Sequence, residues 1–125
     1  MVSPSTLATV ILSGSGESDL DGVYSAQSPS NIPPGFARTC NSMSWSPSVM
    51  WKKLSSPHLM YFQAENEAYI YWNRADLHWW IDLPSGAGAY ICESSSDVPP
   101  TEGWRPVTDG IAMPVPTVRV EVFVE

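Results

Sequence analysis

Residues 69–92 read YIYWNRADLHWWIDLPSGAGAYIC. Three bursts of aromatic and β-branched residues stand in this stretch, separated by short polar or glycine-containing breaks. Such residues suit a pleated, half-buried surface, so the pattern is typical of a β-meander built around large rings. The chain is therefore predicted to form strands over 58–63, 68–73, 78–83 and 89–93, with the spacing of about ten residues that antiparallel hairpins have.

Further strands are predicted near both ends of the chain. Residues 6–12 and 22–25 are short apolar runs bounded by glycine-rich or acidic turns, and residues 117–124 alternate cleanly. Valine takes every second position of this last segment, with Arg119 and Glu121 on the opposite face. We expect Val118, Val120, Val122 and Val124 to be buried together, and the two terminal strands to pair side by side. The fold class is all-β, a small antiparallel sandwich or a partly open barrel.

Residues 27–57 interrupt this regular spacing of predicted strands. They hold five prolines with much serine and asparagine, although Trp45 and Trp51 also lie there. This composition favours a long irregular excursion, and a loop of such length in a compact domain is often functional. We expect one domain over residues 1–125, with 27–57 as a Pro/Ser-rich irregular insertion. Residues 94–106 are predicted to wrap the sheet and to place Trp104 on it, because their prolines cannot donate to a strand ladder.

Charge and composition restrict the class of protein. Thirteen acidic and six basic residues give the 125-residue chain a net charge of −7, which disfavours binding to nucleic acid and to anionic membranes. No run is apolar for long enough to span a membrane, and no targeting signal is recognisable. A soluble, cytoplasmic monomer is expected. Cys40 and Cys92 are then expected to be buried free thiols, with a single bridge as the alternative.

Several short segments also carry a family resemblance, and all but the 27–57 region contributes to it. They are Gly14-Ser15-Gly16, Gly22-Val23-Tyr24, Tyr69-Ile70-Tyr71-Trp72, Trp80-Ile81, Ala89-Tyr90, Pro99-Pro100, Gly103-Trp104 and Pro116-Thr117-Val118. Together they resemble a Trp/Tyr-rich β module that occurs, often as tandem repeats, in protist and algal proteins. The resemblance implies a β fold and no particular activity, because the module has no function that carries over to these residues.

The candidate ligand-binding residues follow from the strand period of two. His78, Trp80 and Asp82 alternate on one face of a strand, and Trp79 points to the other face. At least one of the two adjacent rings should therefore lie outside the main core, covered by residues 94–106 or 27–57 or left free for a ligand. The predicted ligand-binding set is Trp79, Trp80, His78, Asp82 and Trp104.

Catalytic and metal signatures are weak. The acidic turn Glu17-x-Asp19-x-Asp21-Gly22 resembles a calcium loop, but its twelfth position is Ser28 and not a bidentate glutamate. The two histidines and two cysteines are scattered, and no Gly-x-Ser-x-Gly elbow is present. We expect no metal and no cofactor.

The expected function is a non-catalytic protein-interaction or structural module with a protein partner. The alternative is a lectin-like carbohydrate-binding module with an exposed Trp/Tyr surface, since an exposed ring beside acidic groups suits either ligand. A hydrolase that uses His78 and Asp82 as an acid–base couple is the third possibility, and it would need a deep pocket containing both groups.

Overall fold

A computed structural model describes residues 6–124 of the chain. Eight strands and two short helices form within this range. The strands are β1 (Thr6–Ser13), β2 (Gly22–Gln27), β3 (Tyr61–Ala64), β4 (Tyr69–Asn73), β5 (His78–Asp82), β6 (Gly88–Glu93), β7 (Arg105–Pro106) and β8 (Thr117–Val124). The helices are α1 (Pro34–Ser42) and α2 (Pro47–Leu54). Neither helix is long and apolar enough to cross a membrane.

All eight strands belong to one antiparallel sheet, in the order β7-β6-β5-β4-β3-β2-β1-β8. The sheet is curled into a half-barrel, which confirms the all-β prediction in its partly open form. β8 lies against β1 from the pair Thr6↔Val124 to the pair Ser13↔Thr117, so the predicted pairing of the terminal strands is confirmed. Strand β3 starts at Tyr61 and not at residue 58 as predicted.

Each face of the sheet has its own hydrophobic cluster. One face, the core face, carries the larger cluster, and Trp104 packs into it, which confirms the expected placement of that ring. The opposite face, the helix face, is covered by α1 and α2 through a second cluster. The second cluster consists of Phe36, Cys40, Trp51, Tyr61, Tyr69 and Tyr71, with Trp80 packed against it. Cys40 and Cys92 lie in different clusters, and both are buried free thiols, as predicted.

The prediction of an irregular 27–57 segment was wrong for the residues of α1 and α2. Prolines begin these helices. A proline is tolerated in the first helical turn because the backbone N–H that it lacks would have no partner within the helix there, and because its fixed φ suits a helix. Ser46 caps α2, where its hydroxyl accepts a hydrogen bond from the backbone N–H of Val49 at 3.4 Å. Phe36 and Cys40, four residues apart, bury one side of α1 against the sheet.

The expectation for the valines of β8 holds only in part. Val118 is buried and Val120 packs against the main core, whereas Val122 is 53% exposed. Val122 pairs with Ala8 on a strand at the edge of the sheet, where no second neighbour covers it. The side chain of Val124 lies outside the described part of the chain.

Candidate functional site

The sheet separates the residues that the sequence grouped as a ligand site. Trp79 is fully buried in the main core, where its indole N–H donates to the carbonyl of Ser96 at 3.2 Å. Trp104 lies in the same core, and its indole N–H donates to the carbonyl of Pro100 at 2.7 Å. These two rings therefore stabilise the fold and do not face the same space as Trp80. The expectation that Trp79 and Trp80 occupy opposite faces is confirmed, and the 27–57 segment covers Trp80.

His78 lies on the same strand as Asp82 but is engaged elsewhere. Its ring Nδ1 is 2.6 Å from the backbone oxygen of Asp76, and its backbone N–H donates to the Asp76 carboxylate at 3.1 Å. The cavity that contains Asp82 is not lined by His78. An acid–base couple of His78 and Asp82 therefore has no geometric support in this arrangement.

A cavity of about 160 Å³ lies between the two helices and the helix face of the sheet. Five aromatic side chains and one carboxylate line it: Phe36, Trp45, Tyr69, Tyr71, Trp80 and Asp82. The rest of the lining is Thr39, Cys40, Met50, Leu54, Gly86 and Gly88. Trp45 is the one strongly exposed residue of the lining, and six of the other lining residues are partly exposed. We call this space the helix-face cavity.

Strand register brings the sheet residues of the cavity together. Tyr69 stands opposite Asp82, and Tyr71 stands opposite Trp80, across the β4–β5 pair. Because side chains alternate along a strand, all four point to the helix face. The rings of Tyr69 and Tyr71 lie 5.9 Å apart, and the ring of Phe36 from α1 meets that of Tyr71 edge-on at 6.1 Å.

A β-bulge makes room for the Trp80 ring. The register between β5 and β6 shifts between Ile81 and Asp82, so that Asp82 pairs with Gly88. A Cβ atom on Gly88 would come within 2.6 Å of the six-membered ring of Trp80, so the ring lies directly on the glycine. The Trp80 indole N–H donates to the carboxylate of Asp76 at 3.0 Å, which holds the ring in place. Bulges often re-aim side chains next to functional sites.

The carboxyl group of Asp82 is the chemical centre of the cavity. Asp82 is only 4% exposed, and its Oδ1 has no hydrogen-bond partner. Burial raises the pKa of this carboxyl from 3.8 to about 7, and the neighbouring Tyr69 hydroxyl offsets only part of that rise. The buried Tyr69 hydroxyl is near enough to Asp82 to lower the pKa of that carboxyl by hydrogen bonding, but the two groups do not meet in good hydrogen-bond geometry. The carboxyl is thus incompletely paired, which is uncommon for a buried polar group in a folded protein.

The other titratable groups of the cavity are held neutral. Burial, and next the charge of Asp82, raise the pKa of the Tyr69 and Tyr71 hydroxyls well above the usual range. Burial also raises the pKa of the Cys40 thiol. Within residues 6–124, no lysine, arginine or histidine lines the cavity. A cationic group entering it would therefore meet one carboxylate and no positive charge.

Sequence reasoning found Trp80 and Asp82 but missed the other half of the cavity. Phe36, Cys40 and Trp45 come from the segment that was predicted to be irregular. The signal available for them was the four-residue spacing of Phe36 and Cys40, which suits one face of a helix. Tyr69 and Tyr71 were assigned only to the sheet, because nothing in the sequence locates the layer that covers them.

The acidic turn joins two backbone segments through its carboxylates. A carboxylate oxygen of Glu17 accepts the backbone N–H of Ala112 at 2.8 Å, and a carboxylate oxygen of Asp21 accepts that of Ser15 at 3.1 Å. Over residues 6–124, no group of three or more His, Cys, Asp or Glu side chains is arranged to hold a metal ion.

Comparison with protein-family models, with curated proteins and with solved structures finds no significant match to this chain. The resemblance to the Trp/Tyr-rich β module therefore stays a prediction.

Proposed function

We propose that this protein is a non-catalytic interaction module, and that it binds a protein partner at the helix-face cavity and the surface around its opening. The observation that carries the proposal is the buried carboxylate of Asp82, which has only the poorly aligned Tyr69 hydroxyl beside it, inside a cavity walled by aromatic rings. A buried carboxylate that is incompletely compensated costs free energy, so its retention suits a ligand that supplies a compensating charge or hydrogen bond.

The surface beside the opening supports a protein as the partner. Met43, Trp45 and Val49 are 53%, 47% and 62% exposed, and they lie within seven residues of one another where α1 connects to α2. Exposed apolar side chains that are grouped in this way are typical of protein-binding surfaces. We call these three residues the apolar rim.

A lectin-like function has weaker support. Sugar stacking would need one or two coplanar exposed rings edged by polar groups, and among residues 8–122, whose side chains the structure describes, Trp45 is the only large aromatic residue with a strongly exposed side chain. Its neighbours in the rim are a methionine and a valine.

Catalysis also has little support. The raised pKa of Cys40 keeps that thiol protonated, which makes it a poor nucleophile. The free thiols of Cys40 and Cys92 suit a reducing compartment, so the cytoplasm is the proposed location. The net charge of −7 argues against nucleic acid as the partner.

The test is affinity capture with the tagged full chain, followed by cross-linking of the captured partner. Trp45→Ala combined with Val49→Ser should abolish capture of the partner that the unchanged chain retains. Val23→Ser is the matched control, because Val23 is 57% exposed on β2 and does not line the cavity. Cross-links that avoid the rim and equal capture by all three proteins would refute the proposal. A glycan-array signal lost in the rim variant would favour the lectin function in its place.

A further inference from the structure

We propose that the helix-face cavity receives the methylated ammonium group of a lysine side chain on the partner. This inference rests on the proposed function and names the chemistry that the cavity recognises. Aromatic rings attract cations through the negative potential of their faces, and quaternary ammonium groups are recognised in aromatic cages by this effect. The cavity supplies five such rings around one carboxylate.

Charge complementarity favours a cation. Asp82 provides the only carboxylate of the lining, and it is buried with only the poorly aligned Tyr69 hydroxyl beside it. A methylated ammonium group would balance the charge of this carboxylate without having to donate a hydrogen bond to it. A hard metal ion is a poorer occupant, because calcium takes six to eight oxygen ligands and magnesium demands octahedral coordination. The cavity offers no such set of oxygens.

The size and the walls of the cavity favour a methylated group over a bare ammonium. Its volume of about 160 Å³ is close to the engineered apolar cavity of ~150 Å³ that holds benzene. A trimethylammonium group, with fewer heavy atoms than benzene, fits such a space. Its methyl groups can contact Met50 and Leu54, and it loses less hydration on entry than a compact, strongly hydrated ammonium does.

Access suits a side chain that projects from a bound protein. Trp45 is the most exposed residue of the lining, and it also belongs to the apolar rim. A partner that rests on the rim could therefore send one long, thin side chain inward. The four-carbon stem of lysine has the required shape and can lie against apolar walls while its charged end reaches Asp82.

The test titrates the isotope-labelled full chain with peptides and follows its amide and indole NMR signals. The peptide is Ala-Ala-Lys-Ala-Ala, with the lysine unmodified, trimethylated, or replaced by its uncharged tert-butyl carbon isostere. The trimethylated peptide should bind and shift the Trp80 and Trp45 indole signals. Both other peptides should bind at least tenfold more weakly. Equal affinity for the uncharged isostere would overturn the inference, because burial alone would then explain binding.

Variants separate the carboxylate from a general change in charge. Asp82→Asn should weaken binding of the trimethylated peptide about tenfold, and Asp109→Asn, the same change at an exposed site, should leave it unchanged. If Asp82→Asn fails to fold, the unchanged chain is titrated at pH 5 and pH 8. Binding should then be weaker at pH 5, because Asp82 is protonated while Tyr69, Tyr71 and Cys40, which face it from β4 and α1, stay neutral. Unchanged affinity in either experiment overturns the inference.

Two further outcomes distinguish failure of this inference from failure of the proposed function. Free choline that binds as tightly as the trimethylated peptide would assign the cavity to a small quaternary ammonium molecule and overturn the lysine source. A protein partner that is captured through the rim, and captured equally well by Asp82→Asn, would support an interaction module. It would overturn only the role proposed for the cavity.

Discussion

At the scale of single residues, Asp82 is the feature that stability alone does not explain. A carboxylate that is 4% exposed, with only the poorly aligned Tyr69 hydroxyl beside it, is costly whenever it is ionised. The aromatic residues around it are ordinary core formers by comparison, since large rings dominate small β cores. A strongly perturbed carboxyl inside a cavity is a common mark of a functional site.

Replacing Asp82 should change how stability depends on pH. Its pKa is about 7 in the folded chain and 3.8 when unperturbed, so the folded state holds the proton more tightly. The contribution of Asp82 to the free energy of unfolding is therefore fully present below about pH 4, falls as the pH rises to 7, and no longer changes above that pH. Asp82→Asn should be more stable than the unchanged chain by a few kcal/mol at pH 8, with the difference shrinking toward pH 4. Urea unfolding at pH 4, 6 and 8 measures this.

Asp109→Asn controls for the loss of a surface charge and should follow the unchanged chain at every pH. A stability difference between Asp82→Asn and the unchanged chain that is the same at pH 4 and pH 8 would contradict the placement of a buried carboxyl with a raised pKa.

At the scale of elements, close backbone contacts seat α1 on the β5–β6 loop. The backbone of Gly35 at the start of α1 contacts Gly86, and a Cβ atom at Gly35 would lie 2.6 Å from the carbonyl oxygen of Pro84. Arg38 donates to that same carbonyl at 2.8 Å and pairs with Glu67 at 2.6 Å. Since the Arg38–Glu67 pair is exposed, it contributes little, and the glycine contact decides the position of the helix.

Gly86→Ala should therefore detach this helix. Gly86 has φ of +97°, and an added Cβ would collide with the Gly35 carbonyl and the Thr39 hydroxyl. The expected loss of unfolding free energy is about 2–4 kcal/mol, from backbone strain together with the clash. Gly110→Ala is the control, because its nearest contact would be Thr108 at 3.8 Å, and its effect should stay within about 0.5 kcal/mol. Thermal and urea unfolding of both variants measure the difference, and equal stabilities would show that α1 is not seated here.

The elements themselves were predictable to different degrees. β4, β5 and β6 were placed within a residue or two, because aromatic and β-branched runs between turn residues have few other solutions. The helices were missed because proline and serine occur both in irregular loops and at helix starts. Ser46 and Pro47 were read as a loop, although they are a helix cap and its first residue.

At the scale of the whole molecule, the β1–β8 pair joins the two ends of the described chain. β8 is an edge strand eight residues long, and Arg119 and Glu121 point away from the core with an ion pair at 3.3 Å. Charged residues on an edge strand discourage pairing with a second chain. We therefore expect a monomer.

Removal of residues 117–125 should unfold the protein, because β1 would lose one of its two neighbouring strands and the main core would lose Val118. Val118→Ala should cost about 1.5–3 kcal/mol, and Val122→Ala, at an exposed position of the same strand, less than about 0.5 kcal/mol. Circular dichroism and urea unfolding measure these effects. A truncated chain that stays a folded monomer, combined with concentration-dependent dimerisation of the intact chain by light scattering, would show that β8 serves another chain instead.

The sequence by itself determined the sheet and the split between Trp79 and Trp80, since strand periodicity and aromatic content are local properties that survive in any β arrangement. Only the tertiary structure decided where α1 and α2 lie and that Tyr69, Tyr71, Trp80 and Asp82 share one cavity with Phe36 and Trp45. These contacts join residues distant along the chain through the bulge at Asp82 and the glycine contact at Gly86. The surroundings of Asp82 depend on both, so no local pattern could reveal that its carboxyl is buried and incompletely hydrogen-bonded.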